Sequence, residues 1–148
     1  MIKAGLLGLG GWGKIIIKTL ENSDDIRVVA ASSRSKEKHR SFLSENNIIF
    51  FDTYQDMLKD DSIDAIIICT PNTQHEEQVL QAIHFNKQVF CEKPLTLTKK
   101  SAEKIIQASK NAGFVLGIGH ERRFDPAMER LKSLIEDKKF GEKMHIEA

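Results

Sequence analysis

The sequence predicts a doubly wound α/β fold, a parallel sheet of about six strands between two layers of helices. Three observations predict it. Short apolar runs recur along the chain at 2–8, 26–32, 48–51, 64–69, 87–91 and 114–119, mostly without strict alternation, as strands buried on both faces require. Helical patterns separate them, and alternation of the two kinds gives a parallel sheet covered on both sides. A glycine-rich turn, "GLGGWG", follows the first run directly.

The first run, "IKAGLLG", meets that turn, which opens a helix carrying Ile16 and Leu20. "TQHE" at 73–76 has the form of a capping box, with Thr73 as cap and Glu76 reaching back, and Val79, Leu80 and Ile83 continue as an apolar stripe. Ala102, Ile105, Ile106 and Ser109 repeat the spacing in a helix expected to stop at Asn111 to Gly113. Asp125 and Pro126 read as N-cap and first-turn residue of a last helix with Ala127, Leu131, Leu134 and Ile135 on its stripe. "EKMHIEA" at 142–148 reads as the start of a strand. Residues 1–123 are therefore expected to form the doubly wound unit. Residues 124–148 are expected to form a helix and a first strand with nothing further to pair with in this chain. An edge such as 141–148 invites pairing with another chain or disorder.

Composition narrows the function. The 148 residues are enough for one core without disulfides. Lysine and arginine number 22 against 21 acidic residues, interspersed along the chain, which argues against a nucleic-acid surface. Cys69 and Cys91 lack C-x-x-C spacing and suit small core residues in a reducing compartment. Histidines at 39, 75, 84, 120 and 145 show no ligand spacing, so no metal is expected. The apolar runs are too short to span a bilayer, no leader sequence is recognisable, and a cytoplasmic protein is expected.

The candidate chemistry lies at the strand ends. Gly8, Gly10 and Gly13 have the G-x-G-x-x-G spacing: the first allows a tight turn, the second lets a pyrophosphate approach the backbone, and the third packs helix on strand. The second strand ends in "SSRSKEK" where an acidic residue would bind a ribose 2′-hydroxyl. Ser33, Arg34 and Lys38 instead suit a 2′-phosphate, so NADP(H) is favoured over NAD(H). Thr70, Pro71, Asn72 and His75 follow the fourth strand, Glu92 and Lys93 the fifth, and His120, Arg122 and Arg123 the sixth. Asn72 and Thr73 could equally be ordinary helix caps, and His75 a partly exposed first-turn residue. Convergence of such groups on one sheet edge marks a small-molecule site.

In their order and spacing, "GLGGWG", "TPNTQH", "CEKPL" and "RRFDP" resemble the cofactor domain of the Gfo/Idh/MocA oxidoreductases, a Rossmann fold. The resemblance implies NAD(P)-dependent hydride transfer at a hydroxyl or keto carbon of a sugar, inositol or related small molecule. It puts Gly8, Gly10, Gly11, Trp12 and Gly13 at the pyrophosphate and Ser33, Arg34 and Lys38 at the adenosine ribose. Thr70, Pro71, Asn72 and His75 fall at the cofactor's middle, Glu92 and Lys93 at its nicotinamide end, with Arg123 also in the cofactor set. Lys93 is the implied catalytic residue, with Glu92 expected to hold its ammonium and Pro94 to fix its backbone, through a cis bond as in the family. Family members are usually more than twice as long, with a second domain that supplies substrate contacts, and this chain alone is expected to be inactive. A dinucleotide-binding or sensing module without turnover is the alternative, and a homo-oligomer remains open.

Overall fold

Apolar runs without alternation need cover on both faces, and the tertiary structure, a computed structural model describing residues 1–137, 141 and 142, gives it to them. Strands β1 (Ile2–Leu7), β2 (Ile26–Ser32), β3 (Ile49–Phe51), β4 (Ala65–Ile68), β5 (Gln88–Cys91) and β6 (Leu116–Ile118) form one sheet in the order β3-β2-β1-β4-β5-β6. Every pairing is parallel. Each helical connection crosses over the sheet, and the direction of winding reverses between β1 and β4.

The pleat of β4 divides the core. Ile66 and Ile68 face a cluster that includes Met57, Val79, Val89 and Ile105, whereas Ile67 faces Leu6, Leu9, Ile17, Val28 and Leu43. Helices α1 (Gly11–Thr19), α2 (Arg40–Glu45), α3 (Tyr54–Lys59), α4 (His75–His84) and α5 (Lys99–Ala112) supply Ile17, Leu43, Met57, Val79 and Ile105, whereas Leu6, Val28 and Val89 come from the strands and Leu9 from the glycine turn. A last helix, α6 (Pro126–Glu136), buries none of its residues. Lys87 is buried just before β5, its ammonium donating to the carbonyls of Asp60 at 2.9 Å and Ile63 at 2.8 Å.

Local signals fix several element ends. Asp125 caps α6 by accepting from the Ala127 amide, and Gly113 ends α5 in the left-handed conformation. Thr53 and Thr98 cap α3 and α5, two caps that the sequence reading did not single out. β2 spans its whole apolar run, but the other strands are shorter than theirs; β1, for instance, stops at Leu7 because Gly8 turns with φ of +103°. The capping box at Thr73 does not form. The chain leaves Pro71 in a short 3-10 turn, Asn72–Gln74, so Thr73 lies inside the turn and α4 begins at His75 with no side-chain cap. Glu76 instead bonds Lys104 of α5 at 3.0 Å. The strand expected over 142–148, with its expected pairing or disorder, lies outside the described residues apart from Glu142.

Candidate active site

Parallel strands bring their carboxyl ends to one edge. Gly8, Ser33, Asp52, Cys69, Glu92 and Gly119 therefore each follow a strand there. At the winding reversal, β1 delivers the glycine turn beside β4. A Cβ on Gly8 would lie 2.8 Å from the Cys69 carbonyl oxygen, and one on Gly13 would collide with the Gly8 carbonyl oxygen. The fold itself thus requires glycine at both positions.

Gly10 is different. Its backbone, with φ of −70° and ψ of −174°, suits any residue, and an added Cβ there would meet nothing within 4 Å. Gly11 is equally open. The first turn of α1 has no side-chain cap and no acidic residue, leaving its N–H groups and dipole free for an anion. An open backbone at a positive helix end fits a pyrophosphate.

On the β2 side lies a cleft of about 280 Å³ lined by Gly8, Ser33, Arg34, Thr70 and Pro71, and also by Asp52, Gln74 and Gln78. The Thr70 hydroxyl donates to Gln78 Oε1 at 2.5 Å, and the Gln78 amide donates to Gln74 Oε1 at 3.0 Å. Lys38 and Asn72 do not line this cleft; Lys38 sits in the short turn Glu37–His39. His75 is not a partly exposed first-turn residue but is 1% exposed. Its Nδ1 lies 2.9 Å from the Pro94 carbonyl oxygen and its Nε2 2.9 Å from that of Thr70, so the ring sits between two strand-end loops, donating to one of them from whichever nitrogen carries the proton.

A second cleft, about 290 Å³, is lined by Trp12, Cys69, Glu92, Lys93 and Glu121. It adjoins a hollow of about 330 Å³ lined by Lys93, His120, Glu121, Arg122 and Arg123. The Lys93–Pro94 peptide is cis, as the resemblance implied. Glu92 does not hold the ammonium. Its Oε1 accepts from the Trp12 indole at 2.6 Å and its Oε2 from the Lys93 backbone amide at 3.2 Å. The ammonium lies instead 3.6 Å from Glu121 Oε1, because the chain leaving β6 passes beside the end of β5. Burial first, then the Glu92 carboxylate, pushes the Cys69 and Cys91 thiols up to about 12, so neither is a thiolate nucleophile at neutral pH. Among the described residues no group of three or more His, Cys, Asp or Glu is gathered for a metal. No helix among them is long and apolar enough to cross a membrane. A further groove of about 450 Å³ is lined by residues of α4 and by Thr73 and Lys104.

Asp52, Gln74, Gln78 and Glu121 were not singled out from the sequence. Asp52 and Glu121 obey the rule that found the others, since each follows a strand. Gln74 and Gln78 are visible only once α4 is seen to begin beside the cleft.

A glycine turn at a winding reversal, with polar clefts on either side, defines a nucleotide-binding domain of the doubly wound class. The chain belongs to the Gfo/Idh/MocA oxidoreductase family, whose profile, described as an NAD-binding Rossmann fold, matches residues 2–120. It is 30% identical to myo-inositol 2-dehydrogenase of Thermotoga maritima over 98% of this chain and 43% of that one. With 1,5-anhydro-D-fructose reductase of Ensifer adhaerens it shares 34% identity over 77% of this chain and 34% of the other. Among solved structures, scyllo-inositol dehydrogenase of Lactobacillus casei, determined with NAD(H) and scyllo-inositol, superposes with a TM-score of 0.88 at 29% identity, covering 95% of this chain and 42% of that one. The chain thus spans less than half the length of these relatives.

Proposed function

We propose that this chain is the cofactor-binding half of an NAD(P)-dependent oxidoreductase acting at a hydroxyl or keto carbon of an inositol, sugar or related small molecule. The observation that carries the reading is that the open glycine turn and Lys93 stand on the same sheet edge, across the cleft that Trp12 and Glu92 also line. The N–H groups of α1 and the open backbone at Gly10 receive the pyrophosphate. Arg34, Ser33 and Thr70 take the adenosine side, where Arg34 favours a 2′-phosphate and hence NADP(H). Once bound, the nicotinamide supplies or accepts the hydride. Lys93 donates a hydrogen bond to the substrate oxygen and stabilises the charge that develops there, a contribution of about 10² to 10⁴ in rate for groups of this kind.

Residues 124–148 are read as the lead into a substrate-binding unit. Helix α6, which has no fully buried residue and leaves Met128 and Leu131 exposed, and the greater length of the relatives support this. The same reading takes the protein to be cytoplasmic; sedimentation tests whether it self-associates.

Titration of the chain with NADPH and NADH, followed by hydride-transfer assays with myo-inositol, scyllo-inositol and 1,5-anhydro-D-fructose, tests the proposal. Micromolar binding is expected. Binding without transfer, here and in a longer polypeptide containing the chain, favours a sensing module, and no binding at millimolar cofactor overturns the proposal.

A further inference from the structure

We infer that Glu92 is a positioning residue that joins the glycine turn to the backbone of Lys93, an inference that rests on the dinucleotide-binding reading above. Glu92 is 8% exposed at the end of β5, and each of its carboxylate oxygens has its own donor. Trp12 Nε1 donates to Oε1 at 2.6 Å and the Lys93 amide to Oε2 at 3.2 Å. The first donor stands in the opening turn of α1, eighty positions away in the sequence. A third element backs the carboxylate, because a Cβ on Gly119 would lie 2.6 Å from Oε1 and 2.8 Å from Oε2. Helix α1, strand β5 and the chain leaving β6 thus meet on one side chain.

Two observations separate this role from the ordinary ones. Glu92 is not the counter-ion of its neighbour, since the ammonium of Lys93 pairs with Glu121. Nor is Trp12 a core residue that happens to touch it. The indole is 43% exposed, and its position at the cleft wall depends on a short, charge-assisted hydrogen bond rather than on burial. The consequence is mechanical. The α1 N-terminus, which receives the pyrophosphate, and the backbone that aims Lys93 are held by the same carboxylate, so the glycine turn is preorganised in register with the lysine.

Trp12 is the sole tryptophan, so one indole N–H resonance reports the contact directly. In the isotopically labelled 148-residue chain that proton is expected downfield of an exposed indole and protected from exchange despite the exposure of the ring. Glu92→Gln replaces the carboxylate by a neutral amide. It is expected to move the resonance upfield, to speed its exchange about tenfold, and to raise the NADPH dissociation constant about tenfold. Trp12→Phe keeps a ring but removes the donor; it is expected to weaken NADPH binding to a similar extent and to shift the Lys93 amide resonance, and it serves where Glu92→Gln does not fold. An indole signal indifferent to Glu92→Gln, or wild-type NADPH affinity in Trp12→Phe, overturns the inference while leaving the dinucleotide reading intact. A wild-type chain that shows the indole response but binds neither NADPH nor NADH overturns the proposed function and the positioning role with it.

Discussion

Lys93 and Glu121 meet at 3.6 Å across the space between β5 and β6, with both side chains about half exposed. The catalytic candidate is thus poised by a residue from the next loop, leaving the neighbouring Glu92 carboxylate free for backbone contacts. Its own backbone N–H does most to hold the Glu121 carboxyl below the usual carboxylate range; desolvation opposes this, and the Lys93 ammonium and then Arg122 add to the lowering. The interaction is therefore complete above the ordinary carboxylate range and is lost as pH falls through the depressed folded-state value. In a Lys93→Met variant the Glu121 titration, followed by carboxyl-carbon NMR, is expected to move part of the way back up. An unchanged titration would mean that the ammonium and carboxylate do not interact in solution.

The two kinds of glycine in the turn separate folding from binding. Gly13→Ala drives a Cβ into the Gly8 carbonyl, and overpacking of this sort costs about 1–3 kcal/mol. Gly10→Ala meets no protein atom, and its backbone angles suit alanine. Stability is expected to change by less than about 0.5 kcal/mol. The methyl group does, however, occupy the space proposed for the pyrophosphate, so NADPH affinity is expected to fall at least about tenfold. Urea denaturation and cofactor titration of both variants check the contrast. A Gly10→Ala chain with undiminished affinity would remove the pyrophosphate from this turn.

The sheet was legible because its signals are local and one-dimensional: continuous apolar runs, glycines at a turn, Asp125 before Pro126, Gly113 after α5. The capping box at Thr73 failed because Pro71 starts a 3-10 turn before the helix can begin, and a four-residue pattern does not reveal how the chain enters it. The site was legible as a list of strand-end groups, but not as a set of partnerships. Glu92 and Lys93 look like an ion pair in sequence, yet adjacent residues at a strand end diverge, and the partners come from α1 and the β6 loop. His75 carried too little sequence signal to distinguish an exposed first-turn ring from a buried one. Its burial depends on the loops after β4 and β5 arriving together.

That buried ring makes the third prediction. The Thr70 and Pro94 carbonyls each lie 2.9 Å from a ring nitrogen of His75, and the N–H comes from whichever nitrogen carries the proton. His75→Leu fills much of the space but supplies no donor, leaving the part-buried carbonyl that the ring N–H served without that partner. A loss of about 1–3 kcal/mol is expected by urea denaturation. Because Thr70 lines one cleft and Pro94 follows Lys93, weaker NADPH binding is expected beside the loss of stability. A stable His75→Leu chain would show that the loops hold their spacing without the ring.

Cofactor choice is the remaining prediction, and the cleft beside β2 contains opposing charges. Arg34 and Asp52 both line it, whereas Lys38 does not. A guanidinium recognises a 2′-phosphate through paired charge-assisted hydrogen bonds, and a carboxylate in the same cleft repels that phosphate. Arg34→Ala is expected to weaken NADPH binding about tenfold or more while leaving NADH within about threefold of wild type. Lys38→Ala, outside the cleft and solvated, is expected to change NADPH affinity by less than about threefold, mostly at low salt. Asp52→Asn is expected to tighten NADPH selectively. Isothermal titration of the three variants with both cofactors gives six affinities that separate the cases. If Arg34→Ala weakens NADPH and NADH alike, Arg34 acts on the shared adenosine and the proposed preference for NADP(H) has no basis in this residue.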